Sequence, residues 1–182
     1  ALLEAGCSDP RNTHFMFVSE SCVPIRPMRE LVRLLEMDNR SRFVWKAQEA
    51  CNPEDVEKIS RMQEVKKVRA GMGVHHSQWV LLERKLARKL VEDDATKLFE
   101  KCYAPDEFYF GTMLKLKGCD LEKQVVQENV TWTNWELGGK HPRMYREVNR
   151  ELVATLAASG HYFARKFAKG SNIAEFKLHA YE

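Results

Sequence analysis

Short runs of aromatic and β-branched residues alternate with amphipathic segments along this chain, and this alternation most restricts the folds open to it. The β-rich runs occupy residues 14–19, 42–46, 78–82, 130–135 and 161–167. Helical patterns occupy residues 85–92, 95–103, 105–118 and 146–158. Strands that alternate with helices are typical of α/β proteins built in layers. The sequence therefore predicts an α/β fold.

An earlier helix is predicted to begin at Pro27, because proline suits the first turn of a helix. Met28, Leu31, Val32 and Leu35 follow at helical spacing and share one face. Such a stripe of apolar residues normally packs on a core.

Composition places the chain among globular proteins. Its 182 residues are enough for one domain, and 44% of them are hydrophobic while 30% are charged. No apolar run approaches the ~18 residues of a membrane-spanning helix. The net charge of +3 is small and dispersed along the chain, so a nucleic-acid partner is not expected.

The distribution of cysteine and histidine argues against a metal centre. The five cysteines include no C-x-x-C pair, so a zinc site or a thioredoxin-like redox motif is not expected. His75 and His76 are adjacent and would diverge on an extended segment, so they are not expected to share a metal. No metal or cofactor is predicted from these residues.

Glu107 is the carboxylate most worth considering for chemistry. It lies in the segment A-P-D-E-F-Y-F-G-T-M-L, where aromatic residues follow an acidic pair. Proline and acidic residues begin many helices, because acids complement the helix dipole, and this structural explanation stays open. The functional alternative is a general base held on a rigid element and walled by Phe108 and Tyr109.

Basic residues late in the chain are candidates for binding an anion. Arg143 and Lys166 stand among aromatic residues, and Gly138 and Gly139 would let the backbone approach a phosphate or diphosphate. The alternative is that both cations are ordinary solvated surface groups.

Two tryptophans occur in one β-rich run. Trp132 and Trp135 are three residues apart, so they lie on opposite faces of a strand. We expect one of them in the core and the other to be available for stacking on a sugar ring.

Five segments resemble, in wording and in order, the core-2/I-branching β-glycosyltransferase family (glycosyltransferase family 14), which includes peptide O-xylosyltransferases and plant glucuronosyltransferase-like members. They read F-V-S-E-S-C-V-P-I at residues 17–25, H-S-Q-W-V-L-L-E-R at 76–84, A-P-D-E-F-Y-F-G-T-M-L at 104–114, V-T-W-T-N-W-E-L-G-G-K-H-P at 130–142 and F-A-R-K-F at 163–167. The amino-acid sequence of these segments is most similar to the plant and microbial branch of the family.

The resemblance implies an inverting transferase with a GT-A-like, Rossmann-like three-layer domain, a UDP-sugar donor and a glycan or glycoprotein acceptor. The family's general base corresponds to Glu107, and its diphosphate-binding arginine and lysine correspond to Arg143 and Lys166. No metal is expected, because two fixed cations can stabilise the departing UDP. The chain also has no D-x-D triplet.

The resemblance extends to residues that would contact the substrates. An aromatic residue before the Gly-Gly loop contacts acceptor sugar in the family, and Trp132 is the nearest match. Animal members carry an aspartate where this chain has Cys22, so any role of that carboxylate is lost or moved to Glu20. Ser77 and Asp106 are the other candidate substrate-binding residues.

The resemblance also bears on domain organisation. It implies that residues 1–182 form one domain, the C-terminal part of a GT-A domain, because family members carry further N-terminal β-α-β units where the nucleoside binds. The chain is then either a fragment of a longer protein or a form that has lost this half.

Some alternatives stay open at the level of sequence. A catalytically silent scaffold or interaction subunit with the transferase fold is the alternative function. By resemblance the parent is a type II membrane protein of the Golgi lumen, anchored by a segment outside this sequence, or a cytoplasmic protein if its source is microbial or viral. The donor sugar is left open between xylose, N-acetylglucosamine and glucuronic acid.

Overall fold

The structure, a computed structural model, forms two compact units. It describes residues 1–54, 57, 71–93, 95–100, 102–135 and 141–173. Unit 1 comprises Ala1–Phe17 and Arg40–Glu128, and unit 2 comprises Val18–Asn39 and Asn129–Glu182.

Helices and strands alternate through the described residues. The α-helices there are α1 (Leu2–Ser8), α2 (Met28–Met37), α3 (Arg84–Val91), α4 (Tyr109–Leu116), α5 (Leu121–Gln124) and α6 (Arg150–Ala158). The strands are β1 (His14–Met16), β2 (Val23–Pro24), β3 (Ser41–Arg42), β4 (Trp45–Ala47), β5 (Val74–His76), β6 (Leu81–Glu83), β7 (Val125–Val126), β8 (Thr131–Thr133) and β9 (Phe163–Arg165). Short 3-10 helices lie at Gln48–Ala50, Thr96–Phe99 and Pro105–Glu107. None of these described helices is long and apolar enough to span a bilayer.

Unit 1 contains a four-stranded mixed sheet in the order β1-β6-β3-β7. Strand β6 pairs antiparallel with β1 and with β3, whereas β7 pairs parallel with β3. Strands β4 and β5 form a separate antiparallel pair. Unit 2 contains a three-stranded sheet in the order β2-β9-β8, with β8 parallel and β2 antiparallel to β9. The predicted α/β class is thus confirmed as a mixed α/β architecture.

The helix α3 shows how a sequence pattern translates into core packing. Leu86, Ala87 and Leu90 are buried in the hydrophobic core of unit 1, while Lys85 and Arg88 stay exposed. Residues three and four positions apart share a helical face, so one side of the helix is apolar. Each buried leucine contributes about 1.5–3 kcal/mol relative to an exposed one. The helix predicted at residues 85–92 is therefore confirmed within one residue at each end.

In α2, Leu31 is buried, whereas Met28 and Val32, predicted on the same face, are about half exposed, at 48% and 51%. Two sequence predictions about helices need correction. The helix expected over residues 95–103 is instead a short 3-10 helix at Thr96–Phe99. The helix expected over residues 105–118 is interrupted at Phe108, whose φ of −129° is not helical.

The N-terminal helix α1 has no counterpart among the sequence predictions. Arg84 holds its C-terminal end, because the guanidinium donates hydrogen bonds of 2.8 Å to the carbonyl oxygens of Cys7, Asp9 and Asn12. The carbonyl of Cys7 is among the last in the helix, and such groups lack partners within the helix. A single arginine at the start of α3 therefore supplies hydrogen-bond donors to the backbone carbonyl groups at the C-terminal end of α1 and just after it.

Strand β5 is held against α4 by buried polar side chains. Thr112 accepts a hydrogen bond from the Val74 amide (3.0 Å) and donates one to the Val74 carbonyl (3.3 Å). His76 accepts at Nε2 from the Phe110 amide (3.1 Å), and its Nδ1 lies 2.8 Å from the Ser77 carbonyl oxygen. Nε2 must then be unprotonated and Nδ1 must donate, so these contacts require a neutral imidazole.

Close approach of the two elements depends on Gly111. A Cβ atom there would lie 2.5 Å from Val74 Cγ1 and 3.2 Å from His76 Cδ2. We expect Gly111→Ala to lower the free energy of unfolding by about 1–3 kcal/mol, the usual cost of overpacking. Urea denaturation measures this loss. Val74→Ala in the same chain should recover part of it. If the losses of the two single variants simply add in the double variant, the clash is contradicted.

The burial of His76 predicts a pH-dependent stability. Burial lowers the pKa of His76 from 6.5 to about 4, while its hydrogen bond to the Ser77 carbonyl opposes that shift. Below pH 6.5 the His76 side chain is therefore protonated in the unfolded chain but stays neutral in the folded chain down to about pH 4. Protonation of the unfolded chain lowers the free energy of unfolding. The loss is absent above pH 6.5 and grows to about 3 kcal/mol as the pH falls to 4.

Urea denaturation at about pH 7.5 and about pH 4.5 measures this loss, and His76→Gln should show a smaller pH dependence than the wild type. The imidazole signals of His76 in the NMR spectrum give a second measurement that does not require a folded variant. Protonation of His76 between pH 6 and 7 would contradict the prediction.

Candidate active site

In unit 1, Glu107 lies at the end of the 3-10 helix Pro105–Glu107, immediately before α4. Ala104 precedes this turn with a φ of +53°, a left-handed conformation that non-glycine residues rarely adopt. The Glu107 amide donates to the Ala104 carbonyl at 3.0 Å, and the buried ring of Phe108 follows. The backbone from which the Glu107 side chain projects is therefore fixed by a tight turn.

His75 lies beside this carboxylate. Its Nε2 is 3.8 Å from Glu107 Oε2, and the two side chains are 27% and 33% exposed. The imidazole ring also packs on Phe108, with ring centroids 5.1 Å apart. A partly exposed carboxylate beside an imidazole can accept a proton and still be reached by a substrate.

Two other candidates from the sequence lie in the same part of unit 1. Asp106 precedes Glu107 and accepts a hydrogen bond from the Gln78 side chain. Ser77 follows His76, donates its amide to the Val44 carbonyl (2.8 Å) and accepts the Trp79 amide at Oγ (3.3 Å). The structure thus joins the segment after β5 to the turn that carries Glu107.

In unit 2, Tyr145 connects the predicted cations. The Arg143 guanidinium lies over the Tyr145 ring, 5.2 Å from its centroid, and the Tyr145 amide donates to the Lys166 carbonyl at 2.8 Å. The Tyr145 hydroxyl accepts from the Asn134 side chain, also at 2.8 Å. Arg143 is exposed and Lys166 is partly buried. One tyrosine therefore links the segments that carry both cations.

Trp132 also packs against this tyrosine, with ring centroids 6.2 Å apart. It lies against the hydrophobic core of unit 2, whereas Trp135 is 58% exposed. The expected division into one core-facing and one exposed tryptophan agrees with these positions. The assignment of Trp132 to acceptor binding stays a prediction.

Glu20 is exposed in the turn before β2. Burial lowers the pKa of the Arg165 guanidinium, and the nearby groups of Cys22 and Glu20 act in the opposite direction. Glu20 is therefore close enough to Arg165 to interact with it electrostatically. The Cys22 sulfur accepts the amide of Ser19 at 3.4 Å.

Gly138 and Gly139, which were predicted to let the backbone approach a phosphate or diphosphate, lie outside the described residues. Among the residues that the structure describes, no group of three or more histidine, cysteine, aspartate or glutamate side chains is arranged to hold a metal ion.

Sequence reasoning missed two residues of these clusters. For His75 the signal was its predicted divergence from His76, which excludes a shared metal but does not indicate Glu107 as a neighbour. Tyr145 was overlooked because nothing in the wording H-P-R-M-Y marks it; only its position two residues after Arg143 was a signal.

Comparisons with known proteins agree with the resemblance in the sequence. The family model described as Core-2/I-Branching enzyme matches residues 1–157, which include Glu107 and Arg143 but not Lys166. The chain is similar to Glycosyltransferase BC10 of Oryza sativa subsp. japonica, with 27% identity over 173 residues. That match covers 80% of this chain and 41% of the relative, so the chain spans about two fifths of the relative's length.

The family match covers far more than half of the chain and includes four of the five segments noted above. On this evidence the chain belongs to the core-2/I-branching enzyme family of glycosyltransferases.

Proposed function

We propose that this protein contributes the catalytic base and the diphosphate-binding cations of an inverting glycosyltransferase. The observation that carries the proposal is the position of Glu107 within the family match, on a tight turn that leaves its carboxylate one third exposed. A catalytic base needs both a fixed position and access to the substrate.

In the proposed reaction an acceptor hydroxyl attacks the anomeric carbon of a UDP-sugar from the side opposite the diphosphate. The new carbon–oxygen bond forms while the bond to the diphosphate breaks, so the configuration at that carbon is inverted. Glu107 takes the hydroxyl proton, and the bonding electron pair leaves with UDP. Deprotonation matters because a neutral alcohol is a weak nucleophile.

Arg143 and Lys166 are proposed to stabilise the negative charge that develops on the departing UDP. Fixed cations are most effective where charge increases in the transition state, and arginine can bind a phosphate through two parallel hydrogen bonds. The shared contact with Tyr145 supports a common role for their two segments. In this proposal the two side chains supply the charge without a divalent metal ion.

The proposal extends to the type of domain, the residues that contact the substrates and the location. The domain is of the GT-A type, and the acceptor is a glycan or glycoprotein. Trp132 stacks on the acceptor sugar, while Glu20, Ser77 and Asp106 contact the substrates, and the backbone at Gly138 and Gly139 approaches the donor. The Golgi lumen is the proposed location.

Replacing the base tests the proposal directly. We expect Glu107→Gln to lower the rate of sugar transfer by about 10²–10⁴-fold, the usual contribution of general base catalysis, while UDP binding is retained. Transfer from a radiolabelled UDP-sugar in the full-length protein measures the rate. Glu122→Gln, an exposed acid on α5, is the matched control. Unchanged transfer by Glu107→Gln would remove Glu107 from the mechanism.

Removing either cation should weaken donor binding. We expect Lys166→Met or Arg143→Gln to reduce the affinity for UDP by about 1.5–3 kcal/mol, the range for hydrogen bonds to charged groups. Isothermal calorimetry with UDP measures the change. Lys169→Met removes an exposed cation of unit 2 and should bind normally. Equal losses for Lys169→Met and Lys166→Met would show only a nonspecific charge effect.

The same titration tests the alternative function. A catalytically silent scaffold would neither bind UDP in the micromolar range nor transfer sugar. Absence of both activities in the full-length wild type would therefore favour the scaffold.

A further inference from the structure

His75 and Glu107 come from elements that are separately fixed. His75 lies on β5, whose other face is held to α4 through the buried side chains of His76 and Thr112. Glu107 lies on the turn that leads directly into α4. Packing around α4 therefore sets the backbone positions from which the His75 and Glu107 side chains approach each other.

Strand register determines which other charged groups face this pair. Lys46 on β4 is the register partner of His75, so both side chains project from the same face of the two strands. Asp106 precedes Glu107 and is held by the Gln78 amide. His76 points into the core and is neutral. Of these groups, His75 is the one whose Nε2 lies 3.8 Å from Glu107 Oε2.

We propose that His75 is a positioning residue for the catalytic base. Nε2–H faces Oε2 and fixes the carboxylate, so that Oε1 is left to accept the proton of the acceptor hydroxyl. The 3.8 Å separation is longer than a hydrogen bond, and contacts of this kind commonly shorten when the substrate binds. This inference rests on the proposed role of Glu107 and adds the residue that orients it.

The structure also explains why histidine suits this position. Its ring packs on Phe108 while Nε2 reaches Glu107, so one side chain makes an apolar and a polar contact at the same turn. A smaller side chain would lose both contacts. Glutamine keeps a side-chain N–H donor but loses the aromatic ring.

The test compares variants of His75 in the full-length protein with a radiolabelled UDP-sugar. We expect His75→Ala to lower kcat by about 10- to 100-fold, as for a small misplacement of a catalytic group, with little change in KM for the donor. His75→Gln should retain more activity than His75→Ala. Added imidazole should restore part of the kcat of His75→Ala, because the site is partly exposed. A merely structural role would not produce this rescue.

His14→Ala is the matched control, since His14 is a partly exposed histidine on another strand of unit 1 and should keep wild-type kcat. In the Glu107→Gln background, His75→Ala should cause no further loss, because a residue that acts through Glu107 has nothing left to position. A wild-type kcat for His75→Ala, or an unrescued loss that adds to that of Glu107→Gln, would overturn the inference. Unchanged transfer by Glu107→Gln alone would instead overturn the proposed function.

Discussion

The neutral side chain of His76 is the contact on which the geometry of unit 1 most depends. Its two ring nitrogens join the end of β5 to the first turn of α4, one by accepting the Phe110 amide and the other by donating to the Ser77 carbonyl. Because the residue is 1% exposed, water cannot replace either hydrogen bond. A buried polar group without its partners is costly, so the two elements are held in one relative position.

In unit 2 an aromatic side chain, that of Tyr145, links separate segments of the chain. Tyr145 lies between Trp132 and Phe167, with centroid distances of 6.2 and 5.7 Å, and its backbone pairs with the segment after β9. Its hydroxyl accepts a hydrogen bond from the side-chain amide of Asn134. The backbone carbonyl of Asn134 in turn accepts a hydrogen bond from the Arg143 amide. Large aromatic side chains combine apolar contact area with a polar end, which suits them to this linking role.

Local patterns in the sequence predicted much of this fold. The helix α3 agrees within one residue at each end with the segment predicted from apolar periodicity. The strands β1, β8 and β9 fall inside segments predicted from their β-branched and aromatic content. The interruption at Phe108 was missed because a proline followed by acids resembles the start of a continuous helix. The strand β5 is absent from the predicted strands because it is only three residues long and its edge is completed by Thr112, which is distant in sequence.

The residues of the candidate site were also predictable only in part. Glu107, Arg143 and Lys166 could be chosen from the sequence because their neighbours form family-like segments. Their partners could not, since His75 approaches Glu107 only after β5 packs on α4, and Tyr145 approaches Trp132 only after β8 pairs with β9. Such contacts join residues far apart in the chain, so periodicity and spacing do not reveal them.

The two adjacent histidines of β5 have different roles because a strand turns successive side chains to opposite faces. Burial excludes the charged form of His76, whose pKa falls to about 4, and leaves it suited to fixed hydrogen bonds. His75 remains partly exposed on the other face, with its Nε2 3.8 Å from Glu107 Oε2. The alternation of one strand thus separates a buried, structural histidine from a partly exposed one that lies beside Glu107, the proposed base.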